Sequence, residues 1–478
     1  MVTHYMRTPS IDLCFTPALD LASLIRRREL SPVEVIRAVL QRIDQMDDRL
    51  GAYVLVHGER ALGEARQAER AVMAREHLGP LHGVPVSLKD NQWTAGERTT
   101  FGSRLMADFV PPEDAPSVGT LRAAGAIFVG RTNLPEFAWR GSTDNRLFGE
   151  SRNPWDVTRT PGGSTGGGAA AVAAGMGPLA LGSDGAGSIR IPASFCGLVG
   201  LKPTFARVPM FPAVGAHELV AHVCPLARTV RDVALMMNVI ARHDLRDPFA
   251  LPDDGTDYLA VCERPLAGTS LRVAWSADLG FAPVERETRE ICREAARAFE
   301  DVGLKVEEAA PEIGDPSWIL STLYGGAQAG AHAGRPPQQK AEMDPDLVAY
   351  AEASAGLSMV DYVKAITARQ AMVDTLRRFF ERYDLLLTPT LCLPAFPLGI
   401  VGPREVAGRT VTHLGWTLCY PFNYSGQPAV SVPAGWTSSG LPVGLQIVGR
   451  RLDDALVLRA AATFEALRPW IARRPPDT

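Results

Sequence analysis

The chain has 478 residues, 46% apolar and 21% charged, which excludes wholesale disorder, a collagen-like repeat and a coiled coil. That length suits about three domains or one large one. Its 49 Lys and Arg against 53 Asp and Glu leave a net charge of −4, without the basic excess that favours nucleic acid or an anionic membrane surface, so neither is expected as a partner.

The N-terminal residues 1–75 read as helices. Met1 to Asp12 lacks the basic start and apolar run of a signal peptide. Thr16-Pro17 and Ser31-Pro32 have the form of N-cap and first-turn pairs, and Glu34 completes a capping box with Ser31. Val35, Ile36, Val39, Leu40 and Ile43 then recur at helical spacing, so one face packs inward. From Leu81 the texture changes: a strand over Val84 to Leu88, a helix over Ser117 to Ala124 and a strand over Ala126 to Val129. Such alternation predicts an α/β fold, a sheet with helices on its faces.

Residues 153–203 are the richest in Gly, Ser and Ala. Gly166 to Gly182, interrupted by Pro178, lacks the roughly 20 strongly apolar residues of a membrane span and reads as a buried helix. A second α/β pattern follows, with strand Leu271 to Trp275, helix Glu285 to Val302 and strand Lys305 to Glu307. Residues 311–345 mix Gly, Pro, Gln and Ala without clear periodicity and read as a loop or short-helix insert, the kind of segment that often carries specificity. Strand-like Leu385 to Leu387, Ala429 to Val432 and Leu445 to Val448 close the chain. With no linker or repeat in view, residues 1–478 read as a single large domain. The seven cysteines are scattered and contain no C-x-x-C, which points away from a disulfide framework or zinc cage and toward a reducing cytoplasm.

Several chemistries can be weighed from spacing alone. His217 and His222, a close histidine pair, are five apart and off the H-E-x-x-H pattern, so they read as surface or hydrogen-bonded residues and no metal is expected. Gly166-Gly167-Gly168 lacks the Lys-Ser/Thr of a phosphate-binding loop. Gly162-Gly163-Ser164-Thr165-Gly166 matches the G-x-S-x-G nucleophile elbow, but turn-like residues precede it where an elbow needs a strand. A better nucleophile is Ser188, in the run Gly185-Ala186-Gly187-Ser188, where small residues leave backbone N–H groups unobstructed beside the hydroxyl, as an oxyanion hole requires. Without a suitable histidine, a desolvated lysine is the alternative base, and Lys89 ends an apolar strand. Its competing reading is a lysine that reaches solvent or pairs with Asp90.

The surrounding motifs bear on this choice. Lys89-Asp90-Asn91, Pro161 to Gly167, Gly182 to Ala193 and Gly197-Leu198-Val199-Gly200-Leu201-Lys202-Pro203-Thr204 resemble the amidase signature family, in its order. So do Thr132 to Phe137, Cys224 to Val230, Leu387 to Thr390, Ser425 to Ala429 and Gly440 to Gln446, which extends the likeness over nearly the whole chain. The resemblance implies a large mixed β-sheet surrounded by helices, with a catalytic core over residues 80–205. It further implies a Ser-cis-Ser-Lys triad: Ser188 as nucleophile, Ser164 bridging after a cis Gly163-Ser164 peptide, and Lys89 as base. Backbone N–H groups of Gly185, Ala186, Gly187 and Ser188 would hold the oxyanion, with Thr165, Asp184 and Arg190 in support. Thr165 stands where many members have a second serine, and Ala186 where Gly is usual.

The implied activity is hydrolysis of the C–N bond of a small-molecule amide or carbamate (urethane) through an acyl-enzyme, with no metal or organic cofactor. A second reading keeps the chemistry but makes the chain the glutaminase subunit of a tRNA-dependent amidotransferase. A catalytically dead scaffold is disfavoured because all three triad residues are present. Phe137, Trp139, Phe205, Met210 and Phe211 lie near the motifs and are candidates to line an apolar pocket.

Overall fold

The computed structural model describes residues 12–212 and 220–476. Residues 1–11, most of the stretch read for a leader, and His217 lie outside the described residues. Short apolar runs form one mixed sheet of eleven strands: β1 Tyr53–Val56, β2 Pro85–Lys89, β3 Ile127–Thr132, β4 Leu179–Asp184, β5 Val199–Lys202, β6 His222–Ala227, β7 Arg272–Trp275, β8 Lys305–Glu308, β9 Leu385–Pro389, β10 Ala429–Trp436 and β11 Pro442–Gly449. Their order across the sheet is β1-β3-β2-β4-β6-β5-β10-β11-β9-β7-β8. Every residue of β2 to β6, β9 and β11 is buried, because helices cover both faces of the sheet. Burial on both faces is also why stretches such as Leu179 to Leu181 and Leu385 to Leu387 show no polar–apolar alternation.

Strands β3, β2 and β4 run parallel, and their carboxyl ends emerge together on one edge. Lys89 ends β2, Thr132 ends β3 and Asp184 ends β4. In open α/β sheets the crevice beyond such ends is where ligands bind. Neighbouring β6 runs antiparallel to β4 and sets His222 opposite Asp184.

Four segments depart from the sequence reading. Residues 1–75 are not helical throughout: Tyr53–Val56 forms β1, which pairs antiparallel with β3. Gly166 to Gly182 is a buried helix only over Gly166–Ala173; after a turn carrying Gly175 (φ 75°) and Gly177 (φ 128°), the chain becomes β4. A helix and a strand that are both fully buried leave no period to separate them. Residues 311–345 are largely helical, with a twelve-residue helix Ser317–Gln328, a π-helical turn Ala329–Ala333 and a short helix Pro337–Glu342. Thr16 is not the cap of the first helix, Ala18–Arg26: its hydroxyl donates to the Asp12 carbonyl, and the distant Asp232 carboxylate accepts from the N–H groups of Ala18 (3.0 Å) and Leu19 (2.9 Å) instead. The Ser31 and Glu34 capping box forms as expected: Glu34 Oε2 accepts from the Ser31 N–H at 3.1 Å, and Ser31 Oγ also accepts from the Val33 N–H at 3.0 Å. All seven cysteines are free thiols. Among the described residues no helix is long and apolar enough to cross a membrane.

Candidate active site

Lys89 is fully buried at the end of β2, and among the described residues its amine meets hydroxyls alone: Nζ donates to Ser164 Oγ at 2.7 Å and to Ser183 Oγ at 3.0 Å. Asp90, the partner of the competing reading, is engaged elsewhere. Its Oδ1 accepts from Arg131 Nε at 2.5 Å, and its Oδ2 accepts from the backbone N–H and hydroxyl of Thr100. Burial therefore pushes Lys89 from 10.5 down to about 7, and the Asp184 charge pulls back only in part. Ser164 follows a cis Gly163-Ser164 peptide, and no strand precedes it, so the elbow geometry is absent. The Thr165 N–H donates to the Ser188 carbonyl at 3.1 Å, tying the two serine segments together. The Thr165 hydroxyl faces the Ser183 backbone, and its methyl fills the space over Gly182, where an added Cβ would meet it at 2.4 Å.

The loop after β4 is fastened by Asp184. Its carboxylate accepts from the Gly187 N–H at 2.7 Å, from the Ile189 N–H at 3.3 Å, from Arg190 Nε and Nη2 at 2.9 and 3.0 Å, and from Asn423 Nδ2 at 2.8 Å. Burial alone would raise this carboxyl; the Arg190 guanidinium and the Asn423 amide overcome that and hold it well below its usual range. Arg190, fully buried, spends its remaining donors on Gln446 Oε1, the Cys419 carbonyl and Asn423 Oδ1, so the pair is a structural clamp. Because the Gly187 N–H is committed to Asp184, the donors of the expected set that have no partner among the described residues are those of Gly185, Ala186 and Ser188. Gly187 itself needs glycine: its φ is 123° and an added Cβ would meet Cys419 at 2.9 Å. Ala186 is absent from the left-handed residues, so its methyl sits there without backbone strain.

Ser164, Ser183, Gly185, Ala186 and Ser188 open on one cavity of about 1030 Å³, measured with the solvent at its mouth. Phe137, Trp139, Met210 and Phe211 all line it; Phe205 does not, and packs edge-on against His222 behind the wall. The remaining wall is largely apolar, with Phe101, Ile191, Val223, Tyr324 and Leu414. Phe101, Phe137, Ala138 and Leu414 have φ between 50° and 61°, uncommon for residues other than glycine, and such strain gathers at sites that surrounding structure over-determines. Here Glu136 supplies the restraint, accepting from Ser103 Oγ and from the Asp344 N–H, each at 2.5 Å, while Trp139 Nε1 donates to Asp344.

Sequence reasoning missed Ser183, Asn91 and two residues of the 311–345 segment, Tyr324 and Gln328. The last two are four apart and share a helix face, a signal that is visible once that segment is taken as helix. Ser183 needed the knowledge that β2 and β4 are parallel neighbours. Among the described residues no group of three or more His, Cys, Asp or Glu is arranged to hold a metal ion.

Comparison with known proteins agrees with this architecture. The amidase family model matches residues 34–458. An acylamidase of Rhodococcus erythropolis is 40% identical, with 98% of each chain covered. A glutamyl-tRNA(Gln) amidotransferase subunit from Moorella thermoacetica is 39% identical over 97% of this chain and 99% of the relative. The crystal structure of a bacterial aryl acylamidase of the amidase signature family superposes with a TM-score of 0.90 at 31% identity, covering 95% of this chain and 97% of that one. The chain belongs to the amidase signature family and is a hydrolase of carbon–nitrogen bonds other than peptide bonds.

Proposed function

We propose that this chain hydrolyses the C–N bond of small acyl amides and carbamates with an apolar or aromatic portion, using Ser188, Ser164 and Lys89. The observation that carries the proposal is the buried Lys89 amine, 2.7 Å from Ser164 Oγ and without a carboxylate partner, beside a cavity that Ser188 lines. Ser188 Oγ attacks the carbonyl carbon; its proton moves to Ser164, whose own proton moves to the neutral Lys89 amine. N–H groups of Gly185, Ala186 and Ser188 receive the oxyanion. The C–N bond then breaks as the relay returns a proton to the departing amine, and water releases the acyl group from Ser188 by the same path. The wall of Phe101, Phe137, Trp139, Met210, Phe211 and Tyr324 supports an apolar acyl or aryl group, by desolvating it.

The test is a parallel screen of acyl anilides, primary amides and carbamates, followed by Ser188→Ala on the best substrate. The variant should fold and lose about 10⁴-fold in kcat, because all covalent chemistry passes through that oxygen. A fluorophosphonate probe should label Ser188; an adduct on Ser164 alone, or near wild-type turnover of Ser188→Ala, overturns the assignment. The amidotransferase relative supports a second reading, a glutaminase subunit working with partner subunits. Glutamine-dependent ammonia release, with no turnover of anilides or carbamates, would replace the first reading with that one.

A further inference from the structure

Behind the loop after β4 lies a buried polar chain that the reaction above does not use. Lys202, His222 and Asn423 are at most 2% exposed. Lys202 Nζ donates to the carbonyls of Pro203 (2.9 Å) and Gln427 (2.6 Å) and meets His222 Nε2 at 3.2 Å. On the other side of the ring, His222 Nδ1 lies 3.1 Å from the Asp184 carbonyl oxygen, and Asn423 Nδ2 donates to the same oxygen at 3.0 Å. A carbonyl oxygen only accepts, so Nδ1 bears the ring hydrogen and Nε2 is left to accept from Lys202 while that amine carries its third hydrogen. Burial, then the neighbouring Lys202, hold His222 well below its ordinary pKa, so the ring is neutral and carries that one hydrogen.

The Asp184 carbonyl is one end of the peptide group whose other end is the Gly185 N–H. Two side-chain donors on that oxygen draw charge through the amide and make the N–H a stronger donor, since hydrogen bonds in series polarise one another. They also fix the plane of the peptide, and with it the direction in which the N–H points. We propose that His222, oriented by Lys202, is a positioning residue for the oxyanion hole: it polarises and aims the Asp184–Gly185 peptide at the developing negative charge. The inference rests on the proposed use of the Gly185 N–H by the substrate oxygen.

Because an oxyanion forms only in the transition state, weakening this N–H should lower kcat and leave KM in place. Losing an oxyanion donor outright costs about 10²- to 10³-fold, so weakening one should cost roughly tenfold. Two substitutions separate the ring's two contacts. The amide of His222→Asn reaches only as far as Nδ1 and keeps the donor to Asp184; that of His222→Gln reaches the Nε2 position and keeps the acceptor for Lys202. His222→Gln should lose about tenfold in kcat and in the rate of fluorophosphonate labelling of Ser188, with KM within about twofold. His222→Asn should recover most of both rates. Equal losses in the two variants, a change in KM rather than kcat, or a fully active His222→Gln would overturn the proposal. Should His222→Gln not fold, His222→Asn decides alone: near wild-type labelling supports the role, and a tenfold loss refutes it. If the wild-type enzyme is not labelled at Ser188, it is the proposed nucleophile that fails, and the two failures stay distinct.

Discussion

Lys89 can be substituted without stranding a charge, because both its partners are hydroxyls and Asp90 is held by Arg131 and Thr100. Lys89→Met should therefore lose about 10⁴-fold or more in turnover while its denaturant midpoint stays level or rises. Had the lysine anchored a buried ion pair, the same change would cost about 3–5 kcal/mol, so unfolding measured beside activity distinguishes the two. At this scale much of the site could be read from sequence. A lysine closing an apolar strand and a serine after a run of small residues each carry their chemistry locally. Ser183 does not: a serine one step before Asp184 becomes a partner of Lys89 only because two strands far apart in sequence lie side by side. The Asp90 alternative stayed open for the same reason, since Arg131 reaches it from the neighbouring β3.

At the scale of elements, one local cap signal held and the other was overridden by a residue distant in sequence. The Ser31 and Glu34 box is written within four residues, and the structure has it. The first helix, Ala18–Arg26, begins after Pro17, which has no side-chain oxygen, and borrows its cap from Asp232 at the start of helix Val230–Ile240. Asp232 is fully buried, so its removal takes away the acceptor of two helix N–H groups, of buried Ala18 and half-buried Leu19. Asp232→Ala should destabilise the protein by roughly 2–3 kcal/mol, within the range for hydrogen bonds to a charged acceptor. Calorimetry together with hydrogen exchange at Ala18 and Leu19 would show it. An unchanged melting temperature would mean that the first helix is held by its apolar face, Leu21, Ala22 and Ile25, without need of the cap.

Across the whole molecule the cavity is built from segments between Asn91 and Leu414, which is why motifs located its floor and not its full wall. Another property set by the entire chain is the pH dependence of stability. Two fully buried lysines, Lys89 and Lys202, are pushed by burial down to about 7, so between about pH 7.5 and 10 the unfolded chain holds two protons that the fold does not. A depressed lysine opposes folding below the unfolded value near 10.4, and that penalty shrinks as pH rises, by about 1.4 kcal/mol per pH unit for each proton. The seven cysteines act in the other direction. Burial raises every one of them above 9.0, so unfolded thiols ionise from about pH 8 upward while folded ones stay protonated. Asp47, raised by burial to about 6, and Glu465, raised to about 7, have lost most of their protons by pH 8 and add little slope there. Stability should therefore climb from pH 7.5, peak between about pH 8 and 9, and fall beyond. Urea midpoints taken across that range in excess reductant would trace the peak. Lys89→Met should flatten the climb by about one proton and move the maximum to lower pH, while the wild-type rate rises earlier, around pH 7, as Lys89 becomes neutral. A wild-type midpoint that is level or falling from pH 7.5 to 8 would mean that the lysines stay charged in the fold, and Lys89 would then lack the free amine that its role as base requires.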